Sequence, residues 1–226
     1  MPDRVITIAR HRARPWVDGF GRRHGEFTAA LDATGALSLT APDGATARLR
    51  PVVDAEPSPG DATSSDDETT GIDPVESFVA GCLIDRRIGV LLVRRGGHAV
   101  GIFDGPQLVS SKVGSHYVQG RTKAGGWSQQ RYARRRANQA RRAFADAAED
   151  AARVLVPEAA ELAAMVCGGD AAAVRTVLAE PALVELRELF IASGEVVLPV
   201  ADPRLRVLTE FAEAMLSITI ELNALA

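Results

Sequence analysis

Cysteine is scarce. Two in 226 residues exclude a disulfide scaffold and a cysteine-rich zinc module. No run approaches the roughly 20 apolar residues of a membrane-spanning helix, so an integral helical membrane protein is excluded. The start, Met1-Pro-Asp-Arg4, lacks the apolar stretch of a signal peptide, and a cytoplasmic location is expected. His11, His24, His98 and His116 are scattered without H-x-x-E or H-x-x-x-H spacing, so no metal site is expected. The chain also lacks a Gly-Lys-Ser/Thr phosphate loop, a G-x-G-x-x-G fingerprint and a G-x-S-x-G nucleophile elbow. Nothing implies a cofactor.

What remains is ordinary for a globular chain: 46% apolar, 24% charged, and long enough for one or two domains. The charge is unevenly spread. Between Arg121 and Arg142 stand eight basic residues (Arg121, Lys123, Arg131, Arg134, Arg135, Arg136, Arg141, Arg142) and no acid. The total is −3, so the rest of the chain carries −11. A local block of this density argues for a polyanionic partner, and the acidic remainder would orient it.

Three regions are expected. Residues 1–53 read as a small β-containing piece: a helix around Trp16–Phe20, then strands over Phe27–Leu31 and Ala36–Thr40, with a turn at Pro42-Asp-Gly44. Residues 54–74 hold seven acids, no base and almost no large apolar side chain, and read as a flexible linker or exposed loop. Residues 75–226 read as the main domain, mixed α/β (α+β), with a mixed sheet containing an antiparallel meander. Ser77–Ile84, Ile88–Val93, His98–Phe103, Leu108–Val113 and His116–Arg121 read as successive strands, with glycine at the reversals. A glycine-rich loop, residues 123–130, leads into a long helix from about Arg131 to Leu155. Its 3.6-residue period puts Ala133, Ala137, Ala140, Phe144, Ala148, Ala151 and Leu155 on one side. Arg131, Arg134, Arg135, Asn138, Arg141 and Arg142 fall on the other. Leu162–Cys167 reads as a strand and Gly168-Gly169 as a turn. Asp170 reads as the N-cap of a helix to about Ala179, and Val196–Val200 as a short strand. A last helix is expected from Asp202-Pro203 to about Leu222.

The loop and the helix are where chemistry is expected. Gly125 and Gly126 allow backbone conformations and close approaches closed to other residues. Trp127 and Ser128 follow them, then Gln129 and Gln130, beside a helix N-terminus that favours anions. A solvated helix face normally interleaves acids with bases. This one does not, and arginine suits bidentate phosphate contact. Lys123, Arg131, Arg134, Arg135, Asn138, Arg141 and Arg142 are therefore the expected nucleic-acid contacts. Cys82 and Cys167 lie in apolar runs and read as buried small hydrophobes.

The stretch Gly125-Gly-Trp-Ser-Gln-Gln-Arg-Tyr-Ala-Arg-Arg-Arg-Ala-Asn-Gln-Ala140 resembles the catalytic domain of the Vms-like release factors, in the superfamily of eukaryotic and archaeal class-one release factors. His116-Tyr-Val-Gln-Gly-Arg-Thr122, Cys167-Gly-Gly-Asp170 and Asp202-Pro-Arg204 are similar to the family pattern too, with actinobacterial members nearest, over roughly residues 76–210. The resemblance implies a loop entering the peptidyl-transferase centre, where a glutamine supports hydrolysis of the peptide–tRNA ester on stalled large ribosomal subunits. Large-subunit rRNA and peptidyl-tRNA are the implied partners of a monomer. In classical release factors the loop reads Gly-Gly-Gln-Ser. The register of Ser128 and Arg131-Tyr-Ala-Arg134 puts Trp127 at the glutamine position, leaving Gln129 or Gln130 for the role. The alternative reading is a noncatalytic factor that binds ribosomes or RNA.

Overall fold

The computed structural model describes residues 2–53, 73–115 and 127–226. Residues 54–72 of the expected 54–74 linker and the expected strand from His116 to Arg121 lie outside the described residues, while Asp73 and Pro74 open a helix instead. The chain divides into two compact units, Met1–Asp85 with Glu213–Ala226, and Arg86–Ala212.

The first unit is a five-stranded antiparallel sheet ordered β1-β10-β4-β3-β2. Its strands are β1 (Arg4–Ala9), β2 (Thr28–Leu31), β3 (Leu37–Thr40), β4 (Thr46–Pro51) and β10 (Ser217–Leu222). Helix α1 runs from Ala13 to His24, longer than the expected Trp16–Phe20, and buries Ala13, Val17 and Phe20 at helical spacing. Phe20 stacks on Trp16 and meets Phe27 edge-on.

Two sequence expectations fail here. Ser77–Ile84 is not a strand but lies in helix α2 (Pro74–Leu83). The Asp73 side chain accepts the Val75 N–H, and Pro74 fits the first helical turn because it has no N–H to satisfy. Val75 and Phe78 are buried, with Val79 and Cys82 packed beside them, which is a helical stripe. The last helix also stops at Met215. Ser217–Leu222 forms β10, inserted between β1 and β4, with Ile220 paired to both Ile6 and Leu49. Its β-branched run Ile218-Thr219-Ile220 fits a pleated surface better than another helical turn.

The second unit holds a mixed sheet ordered β7-β6-β5-β8-β9. Strands β5 (Arg87–Arg94), β6 (Gly97–Asp104) and β7 (Gln107–Ser115) form the expected antiparallel meander. Strands β8 (Ala164–Gly169) and β9 (Val197–Leu198) add on in parallel. Gly168 and Gly169, expected as a turn, complete β8. Helices α3 (Trp127–Leu155), α4 (Ala171–Leu178) and α5 (Val184–Ala192) carry this unit's helical layer. Leu91, Val93, Val100 and Ile102 pack with residues of these three helices. On the other face, a Cβ at Gly101 would meet Leu208 and one at Gly168 would meet Phe211, both on α6 (Leu205–Met215). Both faces are thus covered, which explains why β5 reads as an uninterrupted apolar run rather than an alternating one.

The β2–β3 turn depends on one carboxylate. Asp32 Oδ1 accepts the Thr34 hydroxyl at 2.5 Å, the Thr34 N–H at 2.8 Å and the Ala36 N–H at 3.1 Å. Arg48 donates to Oδ2 at 2.6 Å. The Thr34 hydroxyl first, then these N–H groups and Arg48, hold the carboxyl well below the usual carboxylate range. A depressed folded-state pKa means that the contribution is complete above the ordinary value near about 4 and fades as pH falls below it. Asp32→Ala should therefore lower the melting temperature at pH 7, and the difference from wild type should shrink in melts at about pH 3. An equal difference at both pH values would contradict this role.

Candidate nucleic-acid interface

Helix α3 dominates the candidate site. Its 29 residues contain neither glycine nor proline and are rich in alanine, arginine and glutamine, all strong helix formers. At 1.5 Å per residue it is about 43 Å long. The helix begins at Trp127, one turn before the expected start near Arg131. Trp127, Ser128, Gln129 and Gln130 thus belong to its first turn rather than to a loop. Lys123, Gly125 and Gly126 lie outside the described residues, as do the side chains of residues 127–133 and 135–137.

The two halves of α3 differ. Ala143, Ala147, Ala148, Ala151 and Leu155 are buried, with Phe144 packed beside them. The expected apolar side is therefore present from Phe144 onward, widened by Ala143 and Ala147, while Ala140 is half-buried. Among the described side chains, none before Ala143 is buried. Arg134, Asn138, Arg141 and Arg142 are all exposed and share one helical stripe. Arg141 donates to the Asn138 side-chain oxygen. Arg134, Arg141 and Arg142 have no acidic partner among the described residues. Arg131 and Arg135 occupy the same stripe by register. Unneutralised guanidinium groups along one stripe form a surface suited to phosphates.

The acidic change of sign occurs where the helix is anchored. Glu149 pairs with Arg153 at 2.6 Å. Asp150 Oδ2 lies 3.0 Å from His98 Nε2 in a largely buried contact. Sequence reasoning missed this pair, because 52 residues separate its members and no local pattern links them.

A cleft opens where parallel β5 and β8 end, lined by Arg94, Arg95, Gly169, Asp170, Val200 and Asp202 among others. It brings Gly169 and Asp170 of the segment Cys167-Gly-Gly-Asp170 together with Asp202 of Asp202-Pro-Arg204. Their residue types have structural reasons. Gly169 has φ 104°, and a Cβ there would lie 2.2 Å from the Val93 carbonyl oxygen. Asp170 caps α4, accepting from the Ala172 and Ala173 N–H groups at 3.0 and 3.2 Å. Arg94 donates to the Val200 carbonyl at 2.6 Å. Cys167 is buried, and burial pushes its thiol pKa up, so it stays protonated and inert as a nucleophile. Among the described residues no three His, Cys, Asp or Glu side chains gather as a metal set. No described helix is long and apolar enough to cross a membrane.

A thiol reagent should leave Cys167 unmodified in the native protein and react with it only in denaturant, as mass-resolved labelling would show. Rapid native labelling of Cys167 would contradict its assignment to the core.

Comparison with known proteins places this arrangement. Residues 86–221 match the family described as Actinobacteria/chloroflexi VLRF1 release factor. No curated protein sequence matches. A solved structure described as archaeal translation termination factor aRF1 is 17% identical, with a TM-score of 0.43, over 80% of this chain and 47% of that one. Another, described as an archaeal protein, is 18% identical with a TM-score of 0.39, over 76% and 47%. The chain thus spans about half the length of these solved chains. The family match covers more than half of the sequence and all of the second unit, and the chain belongs to the actinobacterial and chloroflexi VLRF1 release-factor family.

Proposed function

We propose that this protein is a peptidyl-tRNA hydrolase that frees nascent peptides from stalled large ribosomal subunits, acting in the cytoplasm as a monomer. The observation that carries the reading is the exposed basic stripe of Arg134, Asn138, Arg141 and Arg142 on the first half of α3, with residues 127–130 at its tip. In this reading residues 75–226 are the release-factor-like catalytic region. The stripe, with Arg131, Arg135 and Lys123, lies along rRNA phosphates. Gly125 and Gly126 let the backbone approach the ester.

The reaction asks little of the protein. Water attacks the ester carbonyl carbon, the ester C–O bond breaks, and the tRNA ribose hydroxyl and a peptide carboxylate leave. A positioned amide and a backbone N–H orient the water and stabilise the developing oxyanion. Gln129 or Gln130 supplies the amide, and no titrating side chain is needed. The two positions differ by about 100° around a helix, so one of them is favoured by any single docking geometry. A noncatalytic ribosome-binding factor is the second reading. It is favoured by Trp127 at the register of the classical glutamine.

Stalled ribosomal complexes carrying labelled peptidyl-tRNA test this. Gln129→Ala should lower peptide release by about 10²-fold or more while binding persists. Collapse in Gln130→Ala instead moves the role one residue on. Normal release from the double variant rejects glutamine catalysis, and no release from wild type favours the noncatalytic factor.

Binding should fall steeply with salt. Each phosphate neutralised contributes close to one unit of slope in log–log plots. Changing Arg134, Arg141 and Arg142 together to glutamate should weaken ribosome binding strongly and flatten that slope. Arg136 lies about 140° around the helix from Arg131, and Arg136→Glu should cost less. Equal damage from Arg136→Glu and Arg135→Glu would reject the helical-face mode of contact.

A further inference from the structure

The buried pair His98 and Asp150 has no part in the release chemistry, yet it stands where α3 meets its sheet. The His98 ring is 2% exposed and the Asp150 side chain 14%. Nε2–H donates to Oδ2 across 3.0 Å. The ring is held from the opposite side as well. His98 pairs with Gly114 across β6 and β7, and a Cβ on Gly114 would lie 2.2 Å from the imidazole Cε1. One imidazole is therefore wedged between β7 and α3. These are the two elements that flank residues 116–126, since β7 ends at Ser115 and α3 begins at Trp127.

The rest of the described seam is apolar. Among the described side chains of α3, four alanines and Leu155 are fully buried and Phe144 packs partly buried beside them, and contacts between apolar groups are non-directional. They set the helix's axial and rotational register less specifically than a directional bond does. A hydrogen bond to a buried carboxylate is directional, and leaving that carboxylate unpaired is costly. Distance amplifies any error. From Asp150 to Trp127 is about 35 Å along the axis, so a tilt of about 10° at Asp150 moves the helix start by about 6 Å. Misplacement of reacting groups by about 1 Å is enough to cost about 10²-fold in rate.

We propose that His98 and Asp150 form a positioning pair that sets the axial and rotational register of α3 on its sheet, and thereby places residues 127–142. The structural part stands alone; the kinetic part rests on the release activity proposed above.

The test uses the full chain with Cys82→Ala and spin labels on Gln107→Cys in β7 and Arg142→Cys in α3, both exposed positions. The double variant His98→Leu/Asp150→Leu removes the bond while keeping the seam apolar, a change expected to leave folding nearly intact. Gly114→Ala displaces the ring without altering either partner. Both should shift or broaden the label-to-label distance by about 2 Å or more, the displacement of a tilt of about 10° over the eight residues from Asp150 to Arg142, whereas Asp150→Asn, which keeps an acceptor, should restore the wild-type distance. Unchanged distances in a folded double variant overturn the proposal. In unlabelled protein, the double variant should lose about tenfold or more in release turnover measured at saturating protein concentration, where any loss of ribosome binding is compensated. Retained turnover despite a shifted distance overturns the functional half. If wild type releases no peptide, the proposed activity fails and the distances alone decide the positioning role.

Discussion

A long helix held by its second half is the constraint on which the rest of the second unit depends. Burying Ala143, Ala147, Ala148, Ala151 and Leu155 requires a partner surface, and β5, β6, α4 and α5 supply it. Apolar burial of this kind is the main favourable contribution to folding. It leaves the first half of α3 free of the core among the described residues, and that half carries the arginines. The same helix therefore serves as a structural strut at one end and a charged surface at the other.

The sheet beneath is built to accept that load. Covering both faces makes β5 apolar throughout, and the close approaches at Gly101, Gly168 and Gly169 leave no room for a side chain. Gly169 also takes a positive φ, which turns the chain from β8 into α4, where Asp170 caps the helix. The family-like segment Cys167-Gly-Gly-Asp170 is thus accounted for by packing and chain reversal. Its cysteine is a core residue, and the chemistry proposed for this protein draws on α3 instead.

The first unit obeys different rules. Its sheet is antiparallel, and several of its strands alternate buried with exposed positions, as in β4. Its reversals are set by side chains that satisfy backbone N–H groups locally, Asp32 in one turn and Asp43 in the next. Asp43 accepts from Ala45 N–H and pairs with His24 at 2.8 Å, and these contacts, the Ala45 N–H first, keep its carboxyl below the ordinary range.

The sequence alone determined what local chemistry decides. The β5–β6–β7 meander was legible in glycine-bounded apolar runs, the basic stripe of α3 in its 3.6-residue spacing, and the α4 cap in Asp170. The family was legible in the run from Gly125 to Ala140. The α2 helix reads as a strand from sequence, because the apolar run over residues 79–84 masks the helical spacing of Val75, Phe78, Val79 and Cys82. Other features only the tertiary structure decided. Ser217–Leu222 became a strand because β1 and β4, far away in sequence, offered two unpaired edges. Helix α3 gained a turn at Trp127. His98 found Asp150 across 52 residues, because a buried hydrogen bond answers to proximity in space, and no spacing along the chain encodes it.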